Sequence, residues 1–305
     1  MFVHHNIADL YRTLNLPADD EIDFTFLSIP AIHPHFPYKS PVMRANYFAF
    51  ILNIKGTGVY CLDDWRFPFD DGTFYFANPG HVKAYELEKS ENAYLVALSE
   101  RFLREYVSTD IYSEFPFLLA ETAAPRILDD ADFVEFRELY AHIGSEFNRD
   151  SEYKTKILGS LVKVLLLKVK EKFWPAYDPM EEGNRNSRIV TTFKQLLETE
   201  FRNLLGNGHV PGKIQAADFA EKMNLHPNYL NSVIKSKTGR TVNDWLADRT
   251  LLMAKSLLMT TTLSAKEIAY KLGYSEPTHF SRFFKKQTQL SPGAYRKTVP
   301  VHADI

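Results

Sequence analysis

The sequence contains a single cysteine among its 305 residues and no apolar run that approaches the length of a membrane span. With Cys61 alone, an internal disulfide cannot form and a zinc site built from several thiolates is excluded. A transmembrane helix needs about 20 consecutive apolar residues, so we expect no membrane association. The N-terminal segment also lacks the basic, apolar and small-residue regions of a secretion signal. We therefore expect the protein to stay in the cytoplasm.

The net charge of −2 is small, but its distribution along the chain is uneven. Residues 187–299 contain 17 Lys and Arg against 8 Asp and Glu, whereas residues 1–186 contain 19 against 29. A basic half of this kind is typical of a module that binds nucleic-acid phosphates. Residues 175–187 combine prolines, a glycine and polar residues without an apolar period, which indicates a linker. We predict two domains, 1–174 and 188–299, joined by this linker.

The basic half contains an internal repeat: the same helical pattern occurs in Ala216–Trp245 and in Ala265–Tyr295. Each copy predicts a short helix, a polar turn and a longer amphipathic helix. We expect Gly273 to adopt a positive φ and Ser275 to cap the next helix. Two helices joined by so tight a turn form the helix-turn-helix motif, whose second helix enters the DNA major groove. Val242 to Leu258 predicts a linking helix, and we expect it to hold the units roughly 34 Å apart, about one DNA turn.

The chain resembles the AraC/XylS family of bacterial transcription regulators over about a third of its length. The resemblance rests on the run LSAKEIAYKLGYSEPTHFSRFFKKQTQLSPGAYRK from Leu263 to Lys297 and on matching positions in the first copy and the linking helix, namely Tyr229, Leu230, Lys235, Thr238, Gly239, Trp245, Arg249 and Ala254 to Leu258. It implies a DNA-binding module of seven helices that controls transcription at a promoter, usually by activation through RNA polymerase.

The outer faces of the two longer helices provide the candidate DNA contacts. We place Tyr229, Leu230, Val233, Ile234, Phe280, Phe283 and Phe284 toward the core. The outward positions, which match those that contact DNA in relatives, predict base contacts from Asn228, Asn231, Ser232, Thr278, His279 and Arg282. Arg282 is the strongest candidate, because guanidinium binds the O6 and N7 atoms of guanine bidentately. We expect phosphate contacts from Lys235, Arg240, Lys285, Lys286 and Arg296.

The acidic half begins with short alternating strands between Phe24 and Ser99, separated by turn signals at residues 55–58, 70–72 and 78–80. This spacing predicts a small antiparallel barrel or jelly roll. The family resemblance places a cupin-like sensory domain here. The predicted fold is thus an α+β two-domain protein: an N-terminal cupin-like β-barrel with trailing helices, then an all-α domain of two helix-turn-helix units.

Two chemical interpretations of the barrel compete. A metal-dependent cupin enzyme would need several inward histidines and a glutamate. His33 and His35 have the right spacing, but no Glu follows, and Lys83 stands where a histidine would face inward. We therefore expect no metal, no cofactor and no catalytic residue. The other interpretation is a pocket for an unknown small-molecule effector, with candidate lining residues Tyr47, Tyr60, Trp65, Phe74, Phe76, His81 and Tyr85. Alternation separates Phe74 and Phe76 from Thr73 and Tyr75 but leaves open which face is inside.

Two longer helices, predicted at residues 131–147 and 152–173, follow the strands and a shorter helix near residues 101–107. The second carries a broad apolar stripe that includes Ile157, Leu158, Leu161, Leu165 and Val169. Packing on the barrel would bury part of this stripe, and we expect a two-fold partner to bury the rest in a homodimer.

The leading hypothesis is a sequence-specific transcription regulator whose barrel binds a small effector. A cupin enzyme with an accessory DNA-binding domain and a DNA-architectural protein without an effector are the alternatives.

Overall fold

The structure is a computed structural model that describes residues 1–63, 65–120, 123–175, 185–206 and 212–298. The chain divides into two compact units, one formed by Met1–Thr191 with Lys237–Gly239 and the other by Thr192–Ser236 with Arg240–Ile305. The first unit combines a sheet with helices, and the described part of the second is helical, so the chain has an α+β organisation. None of the described helices is long and apolar enough to span a membrane.

The first unit is built around two long strands in a nine-stranded sheet. Its strands are β1 (Phe2–His4), β2 (Phe24–Ser28), β3 (Tyr38–Lys39), β4 (Met43–Ala45), β5 (Phe48–Leu62), β6 (Trp65–Phe69), β7 (Thr73–Ala77), β8 (Val82–Leu98) and β9 (Arg126–Ile127). Strands β5 and β8 pair antiparallel from Phe48 opposite Leu98 to Leu62 opposite Lys83. Strands β7 and β6 extend the sheet from β5, while β2, β3 and β4 pair with β8.

Both faces of this sheet are buried, and strand alternation decides which side chains each face receives. One face carries Phe48, Phe50, Leu52, Phe74, Phe76, Val96 and Leu98, and it packs against the helices that follow the sheet. The opposite face carries Tyr47, Ala49, Ile51, Tyr60, Tyr75, Ala77 and Ala97, together with Ile7 and Leu10 from an N-terminal helix. Strand alternation alone did not decide which face of β7 points inward. In the structure Tyr75 faces the second core, and Phe74 and Phe76 face the helices.

Helices cover the first face of the sheet. The helices of the unit are α1 (Ile7–Thr13), α2 (Ile29–Ile32), α3 (Glu100–Tyr106), α4 (Ile111–Glu114), α5 (Asp130–Phe147) and α6 (Lys154–Phe173), with a 3-10 turn at Pro116–Leu119. Helix α5 reaches the sheet through Phe136, whose ring centroid lies 5.1 Å from that of Phe74. Helix α6 approaches α3 closely at Gly159, where a Cβ would lie 2.5 Å from the Tyr106 carbonyl oxygen.

The predicted turn at residues 55–58 is wrong. Lys55, Gly56, Thr57 and Gly58 lie inside β5, which runs without interruption from Phe48 to Leu62. The register between β5 and β8 shifts at this point, so the glycines accommodate bulges within a ladder. Gly58 has no room for a side chain, because a Cβ would lie 2.2 Å from the Glu86 carbonyl oxygen. The turns at residues 70–72 and 78–80 are confirmed, with positive φ at Gly72 and Gly80.

The second unit contains the two predicted helix pairs. Its helices are α7 (Arg185–Gly206), α8 (Ala216–Lys222), α9 (Pro227–Thr238), α10 (Val242–Thr260), α11 (Ala265–Lys271), α12 (Pro277–Thr288) and α13 (Pro292–Thr298), of which α7 begins in the first unit. Helix α10 is the predicted linking helix and buries Leu246, Met253, Ala254, Leu257 and Leu258. Helix α7 begins at Arg185, inside the predicted linker, and residues 176–184 of that linker lie outside the described residues.

The two copies end their first helices in the same way. Asn224 and Gly273 both have positive φ, at 50° and 79°. The next residue then donates its backbone N–H five residues back, from Leu225 to Ala220 at 2.8 Å and from Tyr274 to Ala269 at 2.9 Å. The prediction for Gly273 is confirmed. Ser275 is not the helix cap, because α12 begins after Glu276 with Pro277 in its first turn.

Candidate DNA-binding interface and ligand cavity

Helix α12 presents a polar face opposite its aromatic core. Phe280 and Phe284 are fully buried. Thr278, His279 and Arg282 are exposed. Among the described residues, no hydrogen bond or ion pair engages the Arg282 guanidinium, so its five N–H donors are available to an external acceptor. The structure therefore brings the three predicted α12 residues onto one accessible face.

Helix α9 presents a less basic face. Asn228, Ser232 and Lys235 are exposed, and they occupy the positions that Thr278, Arg282 and Lys285 occupy in the second copy. Tyr229 is 40% exposed, so its predicted inward orientation is wrong. The repeat contained the signal, since Tyr229 aligns with the exposed His279.

Asn231 has a structural contact that the sequence did not indicate. Its side-chain oxygen accepts a hydrogen bond from the Val242 backbone N–H at 3.1 Å, at the first residue of α10. This contact satisfies one of the N–H groups that a helix start leaves unpaired. Asn231 is half-buried, as is its counterpart Ser281. The structure therefore separates Asn231 from the outward face of α9.

Two arginines that we expected to contact phosphate are engaged inside the second unit. Arg240 forms an ion pair with Asp248. Its guanidinium also stacks on the Trp245 ring, with 4.6 Å to the ring centroid. Arg296 donates to the backbone carbonyls of Leu258 at 3.0 Å and Leu263 at 2.5 Å, and more weakly to that of Thr261 at 3.4 Å.

The Arg296 contacts close the C-terminal end of α10, where carbonyl groups lack helical partners. The repeat again contained a signal, because Arg296 aligns with Leu246, a buried residue of the linking helix. Lys285 and Lys286 are exposed at the end of α12 and keep the orientation expected of phosphate contacts.

The first unit contains a cavity of about 70 Å³ on the second face of its sheet. Aliphatic side chains form most of the wall, from Leu10, Ile29, Ile32, Met43, Ile51, Leu87 and Leu95. Four tyrosines, Tyr47, Tyr60, Tyr75 and Tyr85, supply aromatic surface, and His33 and Lys83 are the titratable residues with nitrogen side chains. A largely apolar cavity with a few polar groups is the usual form of a small-molecule site.

Two of the cavity tyrosines have internal partners. The Tyr47 hydroxyl lies 3.0 Å from Nδ1 of the buried His4, and the Tyr85 hydroxyl lies 2.8 Å from Nε2 of His33. Burial raises the pKa of both tyrosines and lowers the pKa of His33 to about 4. At neutral pH these groups are therefore uncharged.

Lys83 is the exception in this uncharged wall. It lies on β8 between Met43 of β4 and Leu62 of β5, and it is 8% exposed. Its ammonium group has no hydrogen-bond partner within the described part of the chain and lies 4.9 Å from the centroid of the Tyr47 ring. Burial lowers the pKa of Lys83 to about 8, so the group is still mostly protonated at neutral pH.

Of the seven predicted pocket residues, Tyr47, Tyr60 and Tyr85 line the cavity. The other four do not, each for a local reason. Phe74 and Phe76 face the helices across the sheet. Trp65 is 60% exposed at the start of β6. His81 follows the Pro79-Gly80 turn and binds the Asp63 carboxylate at 2.7 Å. Tyr75 and Lys83 also line the cavity, although neither is among the predicted pocket residues. For Lys83 the sequence contained a signal, because it stands where an inward-facing histidine would be expected.

The histidines considered for a metal site are dispersed. His33 lies in the cavity wall, His35 is exposed, and His81 pairs with Asp63. Within the described ranges, no three side chains of His, Cys, Asp or Glu come together in a geometry suited to a metal ion.

Helix α6 has two apolar faces. Three of the residues predicted for the dimer, Leu158, Leu165 and Val169, belong to the core of the first unit, so that assignment is wrong for them. Ile157 and Leu161 are partly exposed, and Val164 and Leu167 expose 40% and 46% of their surface. The accessible apolar stripe therefore consists of Ile157, Leu161, Val164 and Leu167.

Comparison with known proteins identifies the helical module. The family model described as "Helix-turn-helix domain" matches residues 219–298. The HTH-type transcriptional regulator YtdP of Bacillus subtilis is 36% identical over 120 residues, which are 39% of this chain and 15% of that protein. The arabinose operon regulatory protein of Salmonella typhimurium is 24% identical over 253 residues, which are 80% of this chain and 82% of that protein.

Among solved structures, the C-terminal domain of AraT, a response regulator from Geobacillus stearothermophilus, is 30% identical and has a TM-score of 0.34, covering 40% of this chain and 95% of that one. Residues 219–298, which the family model matches, lie within the helical module that contains the two helix-turn-helix units, and the similarity to the arabinose regulator extends over most of the chain. The chain therefore belongs to the AraC/XylS family of DNA-binding transcription regulators.

Proposed function

We propose that the protein reads a specific promoter sequence through α9 and α12 and that a small molecule bound in the first unit controls this binding. The observation that carries the proposal is the repeated helix-turn-helix unit, with Arg282 accessible on the outer face of its second copy. Arg282 would recognise guanine, Asn228 and Ser232 would contact the other half-site, and Lys235, Lys285 and Lys286 would bind phosphates.

We further propose that the first unit is a cupin-like barrel and that its cavity is the effector site. Two buried cores on opposite faces of one sheet support this, since a small barrel encloses one core of side chains, and here helices cover the other face. We assign residues 1–174 to this domain and residues 188–299 to DNA binding. We expect the protein to act in the cytoplasm and to activate transcription through contact with RNA polymerase.

The stripe of Ile157, Leu161, Val164 and Leu167 supports a homodimer through α6. Its members are spaced three and four residues apart, so they form one continuous strip along the helix. A second copy related by a two-fold axis would cover this strip with the same strip of its own.

The decisive experiment is selection of bound fragments from genomic DNA with purified full-length protein at near-physiological salt. We expect a few promoter-proximal sites, each with two half-motifs about one helical turn apart. The same selection with Arg282→Ala should lose the preference at one base pair while retaining the spacing. If the wild-type protein enriches no site under any effector condition, or if both proteins enrich identical motifs, sequence reading through α12 is refuted.

A further inference from the structure

The cavity of the first unit contains a cation whose charge nothing in the described structure balances. The Lys83 ammonium group is more than nine-tenths buried, lines the cavity and lacks a hydrogen-bond partner among the described residues. The Tyr47 ring provides a cation–π contact at 4.9 Å, but it does not accept the ammonium's hydrogen bonds. Buried charges in proteins are normally paired, so an unpaired one in a cavity indicates an external partner.

A second polar group in the same wall also lacks a partner. The Tyr60 hydroxyl is buried and, within the described residues, makes no hydrogen bond. Tyr60 lies opposite Tyr85, and Lys83 lies opposite Leu62, in the same β5–β8 ladder. Lys83 and Tyr60 are therefore diagonal neighbours on one face, at a spacing of about 7–8 Å between backbones, from which long side chains reach a common ligand.

The remaining wall restricts the chemistry of that ligand. A sugar would need many hydrogen-bonding partners, but most of the wall is aliphatic or aromatic. A phosphate carries more charge and more acceptor oxygens than one ammonium group and one hydroxyl can satisfy. A carboxylate needs one cation and one or two donors, and the rest of the molecule can be apolar. Because the cavity is only about 70 Å³, the apolar part must be compact.

We propose that the effector is a compact carboxylic acid, whose carboxylate binds Lys83 and the Tyr60 hydroxyl while its apolar or aromatic body occupies the cavity. This inference deepens the proposed function and rests on it for the term effector. The carboxylate site consists only of residues of the first unit. No covalent bond is formed or broken. The protein contributes one hydrogen bond from the Lys83 ammonium group and one from the neutral Tyr60 hydroxyl, and both are charge-assisted because the acceptor is an anion.

The test compares acids with uncharged molecules of the same shape. Butyrate and benzoate, with butyramide and benzamide as their neutral counterparts, are titrated into the full-length protein at pH 7 by calorimetry and thermal denaturation. We expect at least one acid to bind at least about tenfold more tightly than its amide and to raise Tm with concentration. If neither acid binds more tightly than its amide, the proposal is overturned.

Variants locate the effect on Lys83. Lys83→Met removes the charge and retains the apolar stem, and Lys89→Met makes the same change at an exposed position of β8. We expect Lys83→Met to lose the preference for acids while its Tm without ligand equals or exceeds that of the wild type, because an unpaired buried charge has been removed. Lys89→Met should bind acids as the wild type does. A Lys83→Met protein that still prefers acids would show that Lys83 does not bind the carboxylate, and one that unfolds at a markedly lower temperature would show that Lys83 is a structural residue; either result overturns the proposal.

The same preparations separate this inference from the proposed function. Lys83→Met should still bind the genomic fragments that the ligand-free wild type selects, because the helix-turn-helix units are unchanged. Acid binding that depends on Lys83, combined with no fragment selected by any protein, would support the carboxylate site and refute the regulator. If fragments are selected but no acid binds, the regulator is supported and the carboxylate site is refuted.

Discussion

Substitution by alanine is expected to affect different properties at two arginines of the helical unit: stability at Arg296 and DNA affinity at Arg282. Arg296→Ala removes the donors for the Leu258 and Leu263 carbonyls and for the weaker contact to Thr261. A hydrogen bond from a charged group contributes about 1.5–3 kcal/mol, and the three contacts share one half-exposed guanidinium. We therefore expect the free energy of unfolding of the helical unit to fall by about 2–4 kcal/mol.

Arg282→Ala should leave that free energy within about 0.5 kcal/mol, because the side chain is exposed and has no described partner. Its loss should instead weaken binding to the cognate site by about 1–3 kcal/mol, the discrimination that one bidentate arginine–guanine contact supplies. Urea unfolding followed by circular dichroism and fluorescence anisotropy with labelled DNA measure the two quantities on the same proteins.

Arg296→Lys tests the reasoning more sharply. Lysine retains the charge that a phosphate contact needs, but it does not reproduce the planar fork that reaches separate carbonyls. We expect Arg296→Lys to remain destabilised. A Lys variant with wild-type stability and wild-type DNA affinity, together with an Ala variant that is stable but binds all DNA weakly, would refute the structural role and restore Arg296 as a phosphate contact.

Three further predictions concern the other surfaces. Lys285→Ala should weaken binding to all sequences alike and reduce the slope of log K against log salt by about 0.9, as measured by anisotropy at several salt concentrations; an unchanged slope would exclude a phosphate contact. Leu167→Glu should convert a dimer to a monomer in sedimentation experiments, whereas Val134→Glu, an equivalent exposed position on α5, should not. His33 has a pKa lowered to about 4, so as the pH falls the unfolded state is protonated at this residue before the folded state. The free energy of unfolding should therefore fall between pH 6.5 and pH 4 by up to about 3 kcal/mol. In urea titrations His33→Gln should lack this part of the pH dependence, and identical pH profiles for variant and wild type would contradict the assignment.

The helical module was predictable from its own sequence because its signals are local. Capping boxes at Thr241 and Ser264 start two of its helices, and prolines at positions 227 and 277 start two more. The repetition of one unit doubled each signal. Where single residues were misplaced, as with Tyr229 and Arg296, the alignment between the copies already contradicted the assignment.

The first unit depended on tertiary structure. The strand pattern predicted alternation, but both faces of the sheet are buried, so composition alone did not distinguish Phe74 from Tyr75. The prediction of a turn at residues 55–58 was wrong for a different reason: glycines that are typical of a turn also permit a bulge in a long strand. Only pairing with β8 decides between these outcomes.

Residue types and spacing by themselves determined the two helix-turn-helix units, their linking helix and the family to which the chain belongs. Packing decided which side chains remain available: Arg282 is accessible, whereas Arg296 and Arg240 are engaged within the helical unit. Packing also placed Lys83 inside an apolar cavity without a partner in the described chain. The physical reason is that the sequence specifies the chemical groups of each side chain, whereas the residues that contact it belong to segments distant along the chain and are brought together only by folding.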